Sequence, residues 1–235
     1  MPDRHVVAMG GGGFSDGDPL IDVYIRELTG KARPRVCFVP TASGDAAAYV
    51  ERFYAAFTRG PWEPSHLALF EVPYPPIAEH LLAQDAIYVG GGSTANMLAV
   101  WRIHGVDEVL RRAWERGTVL CGVSAGGLCW FEAGVTDSLG PDLAPIHELL
   151  GLLSGSLCPH YDGEPGRRPA FHRFVRDGRL PPGIALDDGV AAHFVGTELV
   201  ELVANRHGIA GHRVELRDGE IVETRIEPRV LGAGT

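Results

Sequence analysis

Short apolar runs that end in glycine-containing turns and lead into helical segments constrain the fold of this chain most strongly. Three such runs lie at His5–Met9, Ala86–Val89 and Val119–Val123. Beyond the turns, apolar residues recur with helical spacing. This alternation is typical of an α/β fold, in which parallel strands form a sheet covered on both faces by helices. We therefore predict a three-layer sandwich around a parallel sheet.

The sequence is predicted to form one domain over residues 1–235, because no internal repeat, low-complexity tract or linker interrupts it. Its later part contains short strands separated by Asp-Gly and Asn turns, some of them arranged as hairpins. Before these strands we predict a helical run at 127–132, followed by a loop at 133–145.

The formal net charge of −9 argues against non-specific binding to nucleic acid or to an anionic membrane surface, since both require a basic face. No apolar run reaches the length of a membrane span. The N-terminal residues lead directly into a strand-like run, without the apolar segment of a secretory signal. We expect a protein that binds neither nucleic acid nor membrane.

The cysteines lie apart in apolar stretches and lack the pair spacing of a metal site. We expect buried, reduced thiols in a cytoplasmic protein. A metal site built from histidine and carboxylate side chains is not expected either, since the candidates have no regular spacing. These candidates are His160, Asp162, Glu164 and His172. The glycine run at 10–13 is weak evidence for a dinucleotide site, so no cofactor is expected.

Ser124 is the candidate nucleophile. It stands between Gly122 and Gly126, in the Gly-x-Ser-x-Gly pattern of a sharp strand-to-helix turn. Glycine avoids the collisions that larger side chains would make with the backbone in so tight a turn. The N–H groups at the start of the helix could then bind a developing oxyanion. The same pattern also fits a structural turn capped by serine, so the motif alone leaves both interpretations open.

A serine hydroxyl needs a base that accepts its proton. Among ten histidines, His160 differs because it follows a predicted strand end and leads into a polar loop. His172 and His193 are its competitors. The carboxylate that would orient the imidazole is left open by this reasoning. The candidates are Glu132, Asp137, Asp142 and Asp162.

Three segments, in this order and at this spacing, resemble motifs of the peptidase E (aspartyl dipeptidase) and cyanophycinase family of serine peptidases. They are residues 86–94, 122–126 and 159–161. The resemblance covers most of the chain. It implies a class I glutamine-amidotransferase-like (flavodoxin-like) α/β sandwich, which differs from the α/β-hydrolase fold.

The resemblance also implies the residues of the catalytic machinery. Ser124 matches the nucleophile of the family, His160 its general base and Asp137 the acid of its triad. The backbone N–H groups of Gly92 and Ala125 match the donors of the oxyanion hole.

Substrate-binding positions are implied by the same resemblance. Ser93 stands where peptidase E has asparagine. Arg168 matches an arginine that pairs with the aspartyl carboxylate of the substrate, although the loop after His160 is shorter here. Asp188 matches an acidic residue near the pocket that would meet a free α-amino group.

The expected function is cofactor-free hydrolysis of small peptides through an acyl-enzyme, in dipeptidase or exopeptidase mode, with a preference for N-terminal Asp as one option. A serine esterase or amidase and a catalytically silent small-molecule binder remain alternatives. An amidotransferase-type glutaminase would need cysteine at position 124. The expected partner is a small peptide, and the formation of a homodimer is left open.

Overall fold

The computed structural model describes residues 3–71 and 76–232, which form two mixed β-sheets with helices packed against them. The strands are β1 His5–Met9, β2 Arg35–Val39, β3 Glu63–His66, β4 Ala86–Val89, β5 Val119–Val123, β6 Phe131–Thr136, β7 Ala144–His147, β8 Leu153–Cys158, β9 Gly183–Leu186, β10 Val190–Val195, β11 Glu198–Ala204, β12 Gly211–Arg217, β13 Glu220–Ile226 and β14 Arg229–Val230. The helices are α1 Leu20–Leu28, α2 Ala47–Phe57, α3 Ile77–Leu82, α4 Thr94–His104, α5 Val106–Glu115, α6 Ala125–Leu128 and α7 Arg167–Arg176.

The larger sheet has the strand order β14-β11-β10-β1-β5-β4-β2-β3. Its strands β1, β5, β4, β2 and β3 are parallel neighbours, whereas β10 runs antiparallel to both β1 and β11. Successive strand residues point to opposite faces. Val7 and Met9 therefore pack against α1 and α2, while Val6 and Ala8 face a second core that contains α3 to α6. This arrangement confirms the predicted α/β class with parallel strands at the centre.

The smaller sheet, in the order β13-β12-β9-β8-β6-β7, was not foreseen as a separate layer. Phe171 and Phe174 of α7 pack against one of its faces. The predicted helix at 127–132 is wrong, because α6 ends at Leu128 and β6 begins at Phe131. The predicted loop at 133–145 is also wrong at both ends, since β6 extends to Thr136 and β7 begins at Ala144, and β6 pairs with β7 and β8. These partners supply the backbone hydrogen bonds that override the local pattern.

Turns from both sheets meet at one rim of the molecule. The turn at 187–189 leads from β9 in the smaller sheet to β10 in the larger one. There Asp188 forms an isolated parallel bridge with Gly11, which follows β1. Ser124 directly follows β5, and His160 comes two residues after β8. In open α/β sheets, such strand ends are where ligands bind.

None of the helices within residues 3–71 and 76–232 combines the length and the apolar composition that a bilayer crossing requires. The cysteines are all buried and unbridged. They are Cys37, Cys121, Cys129 and Cys158.

A largely buried polar network on β10 predicts that the stability of the fold depends on pH. The His193 Nδ1–H group donates to Tyr24 Oη at 2.6 Å, and Tyr24 donates its own proton to Glu201 at 2.8 Å. His193 Nε2 lies 2.9 Å from Nδ1 of His5 and, in neutral His193, accepts a hydrogen bond from the His5 N–H. With both imidazoles neutral, each of these bonds has one donor and one acceptor. Burial, reinforced by the neighbouring His5, lowers the pKa of His193 to about 4.

We expect the melting temperature to fall as the pH is lowered from 7 towards 4. An unfolded histidine, with a pKa of about 6.5, binds a proton more readily than His193 does in the fold. The contribution of His193 to the free energy of unfolding is therefore complete above a pH of about 6.5 and is lost progressively as the pH falls towards 4. Thermal unfolding should show a shallower pH dependence for His193→Gln than for the parent, while the exposed His207→Gln serves as the control. Equal slopes for the parent and His193→Gln would contradict this assignment.

Candidate active site

Ser124 lies at the sharp turn between β5 and α6. Its backbone has φ 56° and ψ −114°, a left-handed φ that a serine rarely adopts. The Ser124 N–H donates to the carbonyl of Met9 at 3.0 Å, and its carbonyl accepts from the N–H groups of Gly127 and Leu128 at 3.0 and 2.8 Å. These three bonds hold the strained residue in place. The structure thus gives Ser124 the elbow conformation that the sequence pattern predicts.

The glycines around Ser124 are required by close backbone contacts. A Cβ atom on Gly122 would overlap the carbonyl of Gly126, and one on Gly126 would overlap the carbonyl of Val89. The strand–turn–helix unit can pack this closely only without side chains at these two positions.

His160 is held by a carboxylate from the turn between the two sheets. Its Nδ1 lies 2.6 Å from Oδ1 of Asp188. The Asp188 backbone N–H donates to Asp162 Oδ1 at 2.8 Å, which fixes the turn. The hydrogen bond from His160, the largest cause, holds the pKa of the Asp188 carboxyl below its usual value. Asp188 is therefore an ionised acceptor that orients the imidazole.

Two further glycines enclose the imidazole–carboxylate pair. A Cβ atom on Gly11 would overlap Asp188 Oδ1 and would lie 3.2 Å from His160 Nδ1. One on Gly163 would overlap Asp188 Oδ2. The glycine run after β1 thus allows the backbone to approach the pair closely.

Ser124 and His160 line the same two adjacent cavities. One has a volume of about 360 Å³, and the other has a volume of about 280 Å³. Gly92, Ser93 and Asp137 lie along the first cavity. Asp188 lies along the second. The structure therefore brings the predicted nucleophile and base to one site, with open space on both sides of them.

The glycine turn after β4 lies beside Ser124. A Cβ atom on Gly91 would be 3.4 Å from Ser124 Cβ and 3.9 Å from its Oγ. Gly91 donates its N–H to Tyr49 Oη at 3.3 Å. Within the part of the chain that the structure describes, the N–H of Gly92 has no acceptor. Gly92 lines the larger of the two cavities.

Asp137 contacts an arginine and not His160. Its side chain is 63% exposed, and its Oδ2 lies 3.6 Å from Nη2 of Arg167. Asp137 directly follows β6 and lies at the wall of the cavity. Asp188 lies in the turn at 187–189 between the two sheets and contacts the imidazole. The expected contact between Asp137 and His160 is thus replaced by one from Asp188, which the sequence had placed as a substrate-binding residue.

The arginine in the cavity is Arg167 and not the predicted Arg168. Arg167 is only 3% exposed at its side chain and donates to Glu164 Oε2 at 2.7 Å and to the carbonyl of Val135 at 3.1 Å. Arg168 points elsewhere and pairs with Glu223 at 2.6 Å. Adjacent residues of a helix project in different directions, so a shift of one position separates the two roles.

Sequence reasoning missed Arg167 and Ser138 and considered Glu164 only as a metal ligand, and all three line the cavity. A signal for Arg167 was present in the sequence. Residues 167, 170, 171 and 174 follow the spacing of the buried face of α7, and all four are buried. Ser93 lines the cavity, and its hydroxyl also caps α4 by accepting from the N–H of Asn96 at 3.3 Å.

No three histidine, cysteine or acidic side chains gather as a metal site within the described ranges 3–71 and 76–232. The chemistry available at the rim is that of a serine, an imidazole, a carboxylate and the Gly92 N–H, which has no acceptor among the described residues. This set can support nucleophilic attack on a carbonyl group.

The chain is similar to known proteins in both sequence and fold. Residues 6–202 match Peptidase family S51. The chain is 47% identical over 231 residues to the uncharacterized peptidase YgaJ of Bacillus subtilis (strain 168), which covers 97% of this chain and 100% of that protein. It is 31% identical over 165 residues to Peptidase E of Streptomyces coelicolor, over 64% of each chain. A crystal structure of a peptidase from an acI-B1 Actinobacterium has the same fold, with a TM-score of 0.71 and 16% identity over 94% of each chain.

Proposed function

This chain belongs to Peptidase family S51 and is a serine peptidase, and on that premise we propose that it hydrolyses small peptides through Ser124, His160 and Asp188. The observation that carries the proposal is the 2.6 Å contact between His160 and Asp188, beside the cavities that Ser124 shares with His160. Asp188 thereby takes the role that the sequence assigned to Asp137.

The proposed mechanism uses the two nitrogen atoms of His160 differently. Its Nδ1–H donates to Asp188, which leaves Nε2 to accept the proton of Ser124. Ser124 then attacks the scissile carbonyl, and the N–H groups of Gly92 and Ala125 bind the oxyanion. His160 protonates the leaving amine, and water releases the acyl group. No metal or other cofactor enters the scheme.

The size of the site supports short substrates. The two cavities beside Ser124 have volumes of about 360 and 280 Å³, near the lower end of the roughly 300–1,000 Å³ that is typical of small-molecule pockets. Short peptides fit such a space better than an extended polypeptide does. We therefore propose a dipeptidase or another exopeptidase.

A panel of dipeptides tests this function. We expect the parent protein to cleave dipeptides and a fluorophosphonate probe to block cleavage by labelling Ser124, because labelling requires an activated hydroxyl. Aryl-ester hydrolysis without peptide cleavage would replace the proposal with a serine esterase. Absence of both labelling and turnover would replace it with a silent small-molecule binder.

The charge around Arg167 bears on substrate preference. Its guanidinium is engaged by Glu164 at 2.7 Å and approached by Asp137 at 3.6 Å. One cation and two carboxylates give this wall of the cavity a formal charge of −1. An aspartyl side chain of a substrate would compete with both carboxylates for Arg167 and would be repelled by them. We therefore propose that the parent protein has little preference for N-terminal Asp.

Asp137→Asn should raise kcat/KM for Asp-Leu relative to Leu-Leu by several-fold. Removing one carboxylate leaves Arg167 more available to the aspartyl side chain of the substrate. A partly exposed ion pair contributes at most about 1 kcal/mol, which corresponds to about a fivefold change in the ratio of the kcat/KM values. The ratio of the two kcat/KM values is the measurement. Asp142→Asn is the matched control, because Asp142 is exposed and does not line the cavity. An unchanged ratio in Asp137→Asn would show that this wall does not contact the substrate side chain.

A further inference from the structure

We propose that a second cavity, between α1 and α2, binds a small organic anion with an apolar body. The volume of this cavity is about 570 Å³, and neither Ser124 nor His160 lines it. It is larger than either cavity beside the serine, of about 360 and 280 Å³. The proposal does not depend on the proposed peptidase function.

The walls of this second cavity are largely apolar. Phe57 and Trp62, which are 2% and 6% exposed, lie along it together with Phe14. Val23 also lines the cavity and is 38% exposed, which leaves apolar surface uncovered at the mouth. Aromatic and aliphatic walls with a few polar groups are typical of small-molecule sites. Such walls suit an aryl or alkyl group.

Three arginines converge on the same space. Arg26 lies in the last turn of α1, Arg52 on α2, and Arg59 follows α2. Among the residues that the structure describes, none of the three has a carboxylate partner within 4.0 Å. In a chain whose net charge is −9, three arginines around one cavity without such a partner indicate an anionic ligand.

The one acidic side chain that lines this cavity does not neutralise the arginines. Asp22 is 5% exposed, and its Oδ1 has no hydrogen-bond partner among the described residues. Burial raises the pKa of this carboxyl to about 8, so it is mainly protonated at pH 7. The positive charge of Arg26, Arg52 and Arg59 is therefore available to the ligand.

The test is a fluorescence titration with 8-anilinonaphthalene-1-sulfonate, an aromatic anion. We expect saturable binding to the native protein and displacement by octanoate. The double variant Arg52→Gln/Arg59→Gln should bind at least tenfold more weakly. Arg112→Gln/Arg116→Gln, at exposed positions on α5 and directly after it, makes the same change of charge away from the cavity and should bind like the parent.

A second variant separates shape from charge. Ala56 lines the cavity at an exposed position of α2, so Ala56→Trp fills the space and leaves every arginine in place. It should also lose binding, and thermal unfolding of each variant checks that the fold is intact. Equal affinity of the parent, Arg52→Gln/Arg59→Gln and Ala56→Trp would overturn the proposal. Loss of binding after fluorophosphonate modification of Ser124 would likewise overturn it, by placing the probe at the serine.

Discussion

Ser124→Ala is expected to lower the turnover of dipeptides by about 10⁴-fold or more. The substitution removes the hydroxyl of the proposed nucleophile and leaves the backbone of the elbow unchanged. The bonds from the Ser124 backbone to Met9, Gly127 and Leu128 involve main-chain atoms alone, so alanine preserves them. Initial rates with a peptide substrate, together with fluorophosphonate labelling, measure the effect.

Ser138→Ala is the matched control for this experiment. Ser138 lines the same cavity, but its hydroxyl accepts from the N–H of Ala95 at 3.3 Å and contacts Thr136. We expect the control to keep turnover within about tenfold of the parent, because it loses only local hydrogen bonds. Turnover by Ser124→Ala at the level of the parent would refute the assignment of the nucleophile.

The parts of the fold that the sequence predicts are those whose signal is local. The apolar runs at β4 and β5 are buried on both faces, so their composition alone identifies them as strands of a parallel sheet. Strand β6 lacks such a signal, because its residues become a strand through pairing with β7 and β8. Pairing with distant partners is not visible in a local pattern.

The same distinction separates the site residues. Ser124 is marked by the glycines within two positions of it, and the structure confirms the turn that they predict. Asp188 looks like an ordinary residue of an Asp-Asp-Gly turn, and its role arises because that turn crosses between two sheets beside Gly11. A sequence interpretation that missed the second sheet could not bring Asp188 to His160. Asp137 was favoured because it matches the triad acid of the family in position along the chain, and such a match does not give the direction of the side chain.

The roles of the two carboxylates can be separated by matched substitutions. Asp188→Asn should lower kcat for a neutral dipeptide by about 10²–10⁴-fold, because an amide cannot hold the imidazole in the tautomer that the mechanism needs or stabilise the imidazolium. Asp137→Asn should change the same kcat by less than about tenfold, since its side chain is 63% exposed and pairs with Arg167. Steady-state kinetics on Leu-Leu measures both.

Whether Asp188→Asn changes kcat or KM distinguishes an orienting role for Asp188 from a substrate-binding role. A carboxylate that orients His160 acts in the transition state, so its loss lowers kcat and leaves KM nearly unchanged. A carboxylate that binds the α-amino group of the substrate would chiefly raise KM when it is removed. The 2.6 Å contact with Nδ1 of His160 and the lowered pKa of the Asp188 carboxyl favour the first outcome. A larger loss of kcat in Asp137→Asn than in Asp188→Asn would return the role of the acid to Asp137, and this would require the Arg167 wall to move towards the imidazole during turnover.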